Sequence, residues 1–168
     1  MNYKKIYLKK GKESSLQRFH PWVFSGAVAR ADKGIAEGEI VEVYTANQEF
    51  IAVGHFQIGS IAVRVLSFNQ QTINKAFWTK RLAAAYQMRK DVGLDYTDTH
   101  SSFRLVHGEG VFLPGLIVDF YGSTAVMQAH SVGMHMHRQE IAECIVAISE
   151  GKIKNVYYKS ETTLPYKA

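Results

Sequence analysis

The chain has 168 residues, 46% of them hydrophobic and 21% charged, which is enough apolar material for one ordinary core or two small ones. A net charge of +5 favours an acidic partner such as nucleic acid. One cysteine, Cys144, excludes an internal disulfide and a cysteine-built zinc site, and the lack of any long apolar run argues against membrane association, so a soluble chain of the reducing cytoplasm is expected.

The first 70 or so residues read as β structure. "MNYKKIYLKKGKE" carries five lysines and no signal-peptide core, and within it "KIYLKK" alternates like a half-buried strand. "RFHPWVFSG" (Arg18 to Gly26) follows, with Pro21 holding the backbone extended around it. It reads either as a turn whose rings fill a core or as a ring-and-cation surface for unpaired bases and phosphates; one ring inward and one outward would satisfy both. "GEIVEVY" and "EFIAVGHF" are strands joined at "TANQ", and "SIAVRVLSF" sets Ile61, Val63 and Val65 on one face with Ala62, Arg64 and Leu66 on the other. Short strands with intervening glycines suggest a small barrel or sandwich.

The pattern changes at Asn74, a predicted N-cap for a helix that Gly93 stops. Phe77, Trp78, Leu82, Ala85, Tyr86 and Arg89 mark its buried side, while Lys75, Lys80, Arg81, Arg89 and Lys90 make it basic and read as a solvated face. The predicted boundary lies between residues 72 and 73. Downstream, "GLIVDFYG" and "STAVMQAHS" form two strands turning at Gly122, a second helix spans Met134 to Ser149, and "KIKNVYYKS" closes with a strand. The fold class is therefore α+β: a small β-barrel, then a small α+β domain.

"RLVHGEGVFLPGLIVDFYG" (Arg104 to Gly122) holds four of the thirteen glycines. A phosphate loop needs such glycines at the start of a helix, and here they run through Pro114 into another strand, so a turn is expected, with Gly108, Gly110 and Gly115 taking backbone angles other residues avoid. His135 and His137, two apart on a helix, face different sides and do not suggest a metal site. His107, His100 and Asp98 are near one another in sequence, a weak basis for a catalytic pair, and Cys144 reads as a buried core residue. No catalytic residue, bound cofactor or metal is assigned.

Two segments together resemble a known family. "RFHPWVFSGAV" with the three strands after it resembles the N-terminal PUA domain of the class I SAM-dependent ribosomal-RNA methyltransferases that make 5-methylcytosine in large-subunit RNA. "RLVHGEGVFLPGLIVDFYG" resembles the Arg-Leu-Val-Asn-Gly-Glu-x-Asp-x-Leu-Pro-Gly-Leu-x-Val-Asp-x-Tyr-Gly signature of their central domain, with His107 in place of the Asn, Val111 in place of the Asp and Phe112 before Leu-Pro-Gly. The resemblance implies a PUA-like RNA-binding domain over 1–72 and a central α+β domain over 73–168. A C-terminal Rossmann-like methyltransferase domain would follow, holding S-adenosylmethionine and the catalytic cysteines, and this chain is expected to stop short of it. Ribosomal RNA and the protein's own methyltransferase domain are the implied partners, and a homodimer is open. The expected RNA contacts are Lys9, Lys10, Arg18, His20, Trp22 and Arg64. The competing reading is a scaffold that packs against the catalytic domain and binds RNA weakly.

Overall fold

The computed structural model describes residues 3–95 and 101–164. The chain divides into two compact units, Met1–Thr72 and Ile73–Ala168.

The first unit holds β1 (Lys4–Leu8), α1 (Ser14–Gln17), β2 (Trp22–Phe24), β3 (Val28–Ala31), β4 (Ile40–Tyr44), β5 (Phe50–Phe56) and β6 (Ile61–Ser67), with a 3-10 turn at Ser25–Ala27. The six strands form one curled sheet in the order β2-β6-β5-β4-β1-β3, in which only the β1–β4 pair is parallel. Ile6 and Leu8 of β1, Val41 and Val43 of β4, and Val63 and Val65 of β6 meet Leu16, Val23 and Ala52 in the core.

Alternation in β6 is broken, contrary to the strict two-face pattern expected. Val53 pairs with Ser67 and Gly54 with Val65, which leaves Leu66 bulged; Val23 pairs with Val63 and Phe24 with Ile61, which leaves Ala62 bulged. An extra residue in one strand bends it and increases its twist, and Ala62 and Leu66 are buried along with Val63 and Val65. Gly54 lets the bend close. A Cβ there would overlap the Arg64 carbonyl and come within 2.9 Å of Val65 Cα.

The second unit contains α2 (Lys75–Asp91), β7 (Ser102–His107), β8 (Leu116–Tyr121), β9 (Thr124–Ala129), α3 (Val132–Met136), α4 (Arg138–Ile148) and β10 (Asn155–Tyr158). Its four-stranded sheet runs β10-β9-β8-β7, a meander with β10 added parallel to β9. Helices α2 and α4 pack on each other and against the sheet. Leu116, Val118 and Phe120 of β8, with Ala125, Met127 and Ala129 of β9, supply its buried face. Asn74 caps α2 by accepting the Phe77 N–H at 3.1 Å, and Gly93, at φ +77°, follows its end.

The single helix expected over Met134 to Ser149 is two. Ser131 accepts the Met134 N–H and starts α3 early, and His137 leaves the helical path at ψ 6° between α3 and α4. Its ring packs 5.3 Å from that of Trp78, a buried anchor that favours the break.

Two expectations follow. Gly54→Ala should destabilise the protein by about 1–3 kcal/mol in urea unfolding, because the obstruction is backbone rather than a movable side chain. Burial holds His137 below its ordinary value of 6.5, partly opposed by Glu140, and burial with Arg138 does the same for His135. The unfolded chain then binds the extra protons, so this stability is full above the ordinary value and is lost as pH falls below it. The unfolding temperature should therefore drop between pH 7 and pH 5, and less so in His137→Gln; equal drops in both proteins would contradict this.

Candidate nucleic-acid interface

The segment from Ser14 to Ala27 is built by a one-turn helix and a sharp reversal. Leu16 anchors α1 in the core, while Ser15 O accepts the N–H groups of both Arg18 (3.1 Å) and His20 (3.0 Å). That double contact forces Phe19 into the left-handed region at φ 61°, which costs a bulky residue about 1–2 kcal/mol. The Phe19 ring is 67% exposed and meets Phe68 edge-on at 5.3 Å. Pro21 then leads into β2, and its carbonyl accepts the Val65 N–H at 2.8 Å.

Both ring positions of β2 lie on the same side, so the expected split of one ring inward and one outward is corrected. Residues two apart on a strand share a face, and the inward residue is Val23. Trp22 is half-buried and Phe24 exposed, and their rings meet at 6.2 Å, nearly perpendicular. His20 joins both, 5.7 Å from Trp22 and 6.0 Å from Phe24, and its Nδ1 accepts the Trp22 N–H at 3.2 Å.

The six expected contacts are placed unequally. Arg18 and His20 are exposed, and the His20 ring and Trp22 are both part of the ring cluster. Lys9 is exposed, donates from Nζ to Gly26 O at 2.9 Å and is thereby tied to the turn after Phe24; Lys10 is exposed in the turn after β1. Arg64 sits opposite Trp22 in the strand register, half-buried, with Nε and Nη1 closed to solvent, so it backs the ring more than it faces outward. The expected contacts leave out Phe19 and Phe24, although the sequence reading pairs the Phe24 ring with Trp22. The alternation around Trp22 marks Phe24, whereas no sequence signal marks the left-handed turn at Phe19.

The other candidates resolve into structure. Lys75 pairs with Glu143 at 2.7 Å, Lys90 with Glu150 at 3.0 Å, and Arg89 Nε donates to Arg104 O at 2.8 Å, so much of the basic face of α2 is engaged within its own unit. His135 bonds the Tyr158 hydroxyl at 2.7 Å, and among the described residues no group of three or more histidines, cysteines and acids is placed to hold a metal. His100 and Asp98 lie outside the described residues. Cys144 is buried, with Thr79 Oγ1 donating to its sulfur at 3.3 Å.

The glycine stretch joins strand to strand through a 3-10 turn at Gly108–Val111. Leu113 O then accepts the Leu116 N–H at 3.1 Å across Pro114 and Gly115, the latter at φ +83°, which is a type II turn. Gly108 and Gly115 take positive φ as expected; Gly110 does not, and Phe112 takes that role at φ 58° because it ends the 3-10 turn. Arg104 and Asp119 face each other in register and form a two-pronged ion pair of 2.7 and 3.1 Å, which raises the guanidinium pKa further. Arg104 Nη1 also meets His107 Nδ1 at 3.2 Å. No α-helix begins at this loop, so it lacks the helix N-terminus on which a phosphate loop depends.

Relief of the left-handed strain and loss of the Phe68 contact oppose each other. Phe19→Gly should thus change stability by less than about 1 kcal/mol in chemical unfolding.

Residues 6–68 match the family model of a PUA-like domain. The chain is 35% identical over 160 residues to ribosomal RNA large subunit methyltransferase I of Vibrio parahaemolyticus, a match that covers 95% of this chain and 39% of that protein. It is 38% identical over 150 residues to the protein of the same name from Cronobacter sakazakii, covering 86% and 36%. A candidate SAM-dependent methyltransferase from Streptococcus mutans shares the fold at a TM-score of 0.77 and 16% identity, over 93% of this chain and 40% of that one. No helix among the described residues is long and apolar enough to cross a membrane. The chain is thus an α+β protein with a PUA-like domain, similar over nearly all its length to large-subunit rRNA methyltransferases I and spanning about 39% of the length of such a relative.

Proposed function

We propose that this chain recognises ribosomal RNA and positions it for a SAM-dependent large-subunit rRNA methyltransferase that acts on cytosine C5, in the cytoplasm. The observation that carries the reading is the joined cluster of His20, Trp22 and Phe24, two residues along the chain from the exposed Arg18, on the unit that matches a PUA-like domain. Flat rings with cations beside them suit unpaired bases and the phosphates that flank them. Arg18, Lys9 and Lys10 meet phosphate, His20 and Trp22 meet bases, and Arg64 backs Trp22. Phosphate contacts set affinity and register, while bases splayed onto rings give selectivity.

S-adenosylmethionine supplies the methyl group in the full-length enzyme, and no residue of this chain is assigned to hold it. The second unit connects the RNA grip to the protein's own methyltransferase domain. Its Arg104–Asp119 pair and Leu113–Pro114–Gly115 turn serve that role by keeping the sheet edge rigid.

Titration of the 168-residue chain into labelled large-subunit rRNA fragments at two salt concentrations tests the reading. Binding that falls steeply with salt and favours structured RNA over DNA is expected. Arg18→Ala should weaken it and lower the salt slope by about 1. No binding at low salt would instead make the first unit a packing module.

A further inference from the structure

The outer surface of the first sheet carries a second row of rings that the sequence-based contacts do not include. Across four adjacent strands the register sets Arg30 opposite Tyr7, Tyr7 opposite Tyr44, and Tyr44 opposite Phe50. Bulges make this alignment: Ala29 is skipped between the partners of Tyr7 and Leu8, and Ile51 between those of Val43 and Tyr44. The rings sit 5.7 Å apart (Tyr7 to Tyr44) and 5.9 Å apart (Tyr44 to Phe50). The Arg30 Cζ lies 3.5 Å from the centre of the Tyr7 ring, and Lys5 Nζ lies 5.0 Å from that of Tyr44.

Neighbouring residues of the same strands, Ile6, Leu8, Val41 and Val43, fill the core, so these rings are on the opposite side. The Tyr44 hydroxyl donates to Glu42 at 2.8 Å, while Glu42 also accepts from Gln70 at 3.0 Å. Burial first, and then the Glu42 carboxylate, push the Tyr44 hydroxyl up to about 12, so it stays protonated. Arg30 is exposed and has no carboxylate within ion-pair distance among the described residues.

We propose that this row is a second single-stranded RNA contact, in which an unpaired base stacks on the Arg30 guanidinium as the third layer over Tyr7, and Lys5 meets the adjoining phosphate. The proposal rests on the RNA-binding reading above but uses different strands: β3, β1 and β4 rather than β2 and β6. A guanidinium already lying flat on a ring offers a base a second flat, cationic face at little ordering cost. Cross-strand ring pairs also stabilise sheets by themselves. That role accounts for Tyr7 against Tyr44 but does not require a planar cation at Arg30, and the contrast sets the test.

The test measures binding of a fluorescent single-stranded oligoribonucleotide of mixed sequence to the full chain and to Arg30→Ala and Arg30→Lys, with photo-crosslinking of the same oligonucleotide carrying 4-thiouridine. The expected result is a loss of about 5-fold or more in affinity for both variants at unchanged thermal stability, because lysine keeps the charge and lacks the plane. Adducts are expected on β1 or β3. Wild-type affinity in Arg30→Lys would overturn stacking, since charge alone would then suffice. Binding with adducts confined to residues 18–26 would overturn this second contact and leave the first standing. If the wild-type chain binds no RNA in either assay, both readings fall together.

Discussion

The first unit depends on the close approach of β5 and β6 at Gly54. A single methyl group there would collide with the Arg64 backbone, so the two strands reach their pairing only because the residue has no side chain. That contact sets Arg64 opposite His55 on one side and Trp22 on the other, and the bulges at Ala62 and Leu66 bend β6 so that the sheet curls. The ring cluster of β2 and the Arg30–Tyr7 row both sit on the outside of this curl. Their positions are consequences of register, which a one-residue slip would reverse face for face.

A second constraint acts at the entry to β2. The core holds Leu16 and the sheet holds the Pro21 carbonyl, leaving four residues to turn the chain between them. The backbone meets that demand by putting Phe19 in a conformation glycine would take more easily. The exposed ring there meets Phe68 edge-on, a contact that offsets part of the strain. In the second unit the unusual backbone angles have a different use. Gly115 packs against the Ser131 that caps α3, and the Arg104–Asp119 pair crosses between β7 and β8, so the glycine-rich signature holds a sheet together.

The similarity to large-subunit rRNA methyltransferases runs over 95% of the chain, whereas the PUA-like match covers residues 6–68. The PUA-like match covers only the first unit, which carries the His20, Trp22 and Phe24 rings. The likeness to the methyltransferases extends through the second unit, whose signature residues are spent on turns and an internal ion pair.

Much of the architecture was legible in the residues themselves. Helix α2 begins at Asn74 and ends near Gly93 because a capping side chain and a residue free to take positive φ act locally, and the hairpin at Gly122 is equally local. The buried face Phe77, Trp78, Leu82, Ala85 and Tyr86 follows from helical periodicity alone. The likeness of two separated motifs to a methyltransferase family was also readable, since it is carried by residue identity. Tertiary structure decided the rest. The break at His137 comes from a ring packed on Trp78, a residue far away in sequence, and the burial of Leu66 comes from a bulge set by β5. The shared side of Trp22 and Phe24, the exposed left-handed Phe19 and the Arg30–Tyr7 stack likewise arise from strand pairing and from contacts between distant residues. Local preference cannot specify these, because each depends on which strand lies alongside and in what register.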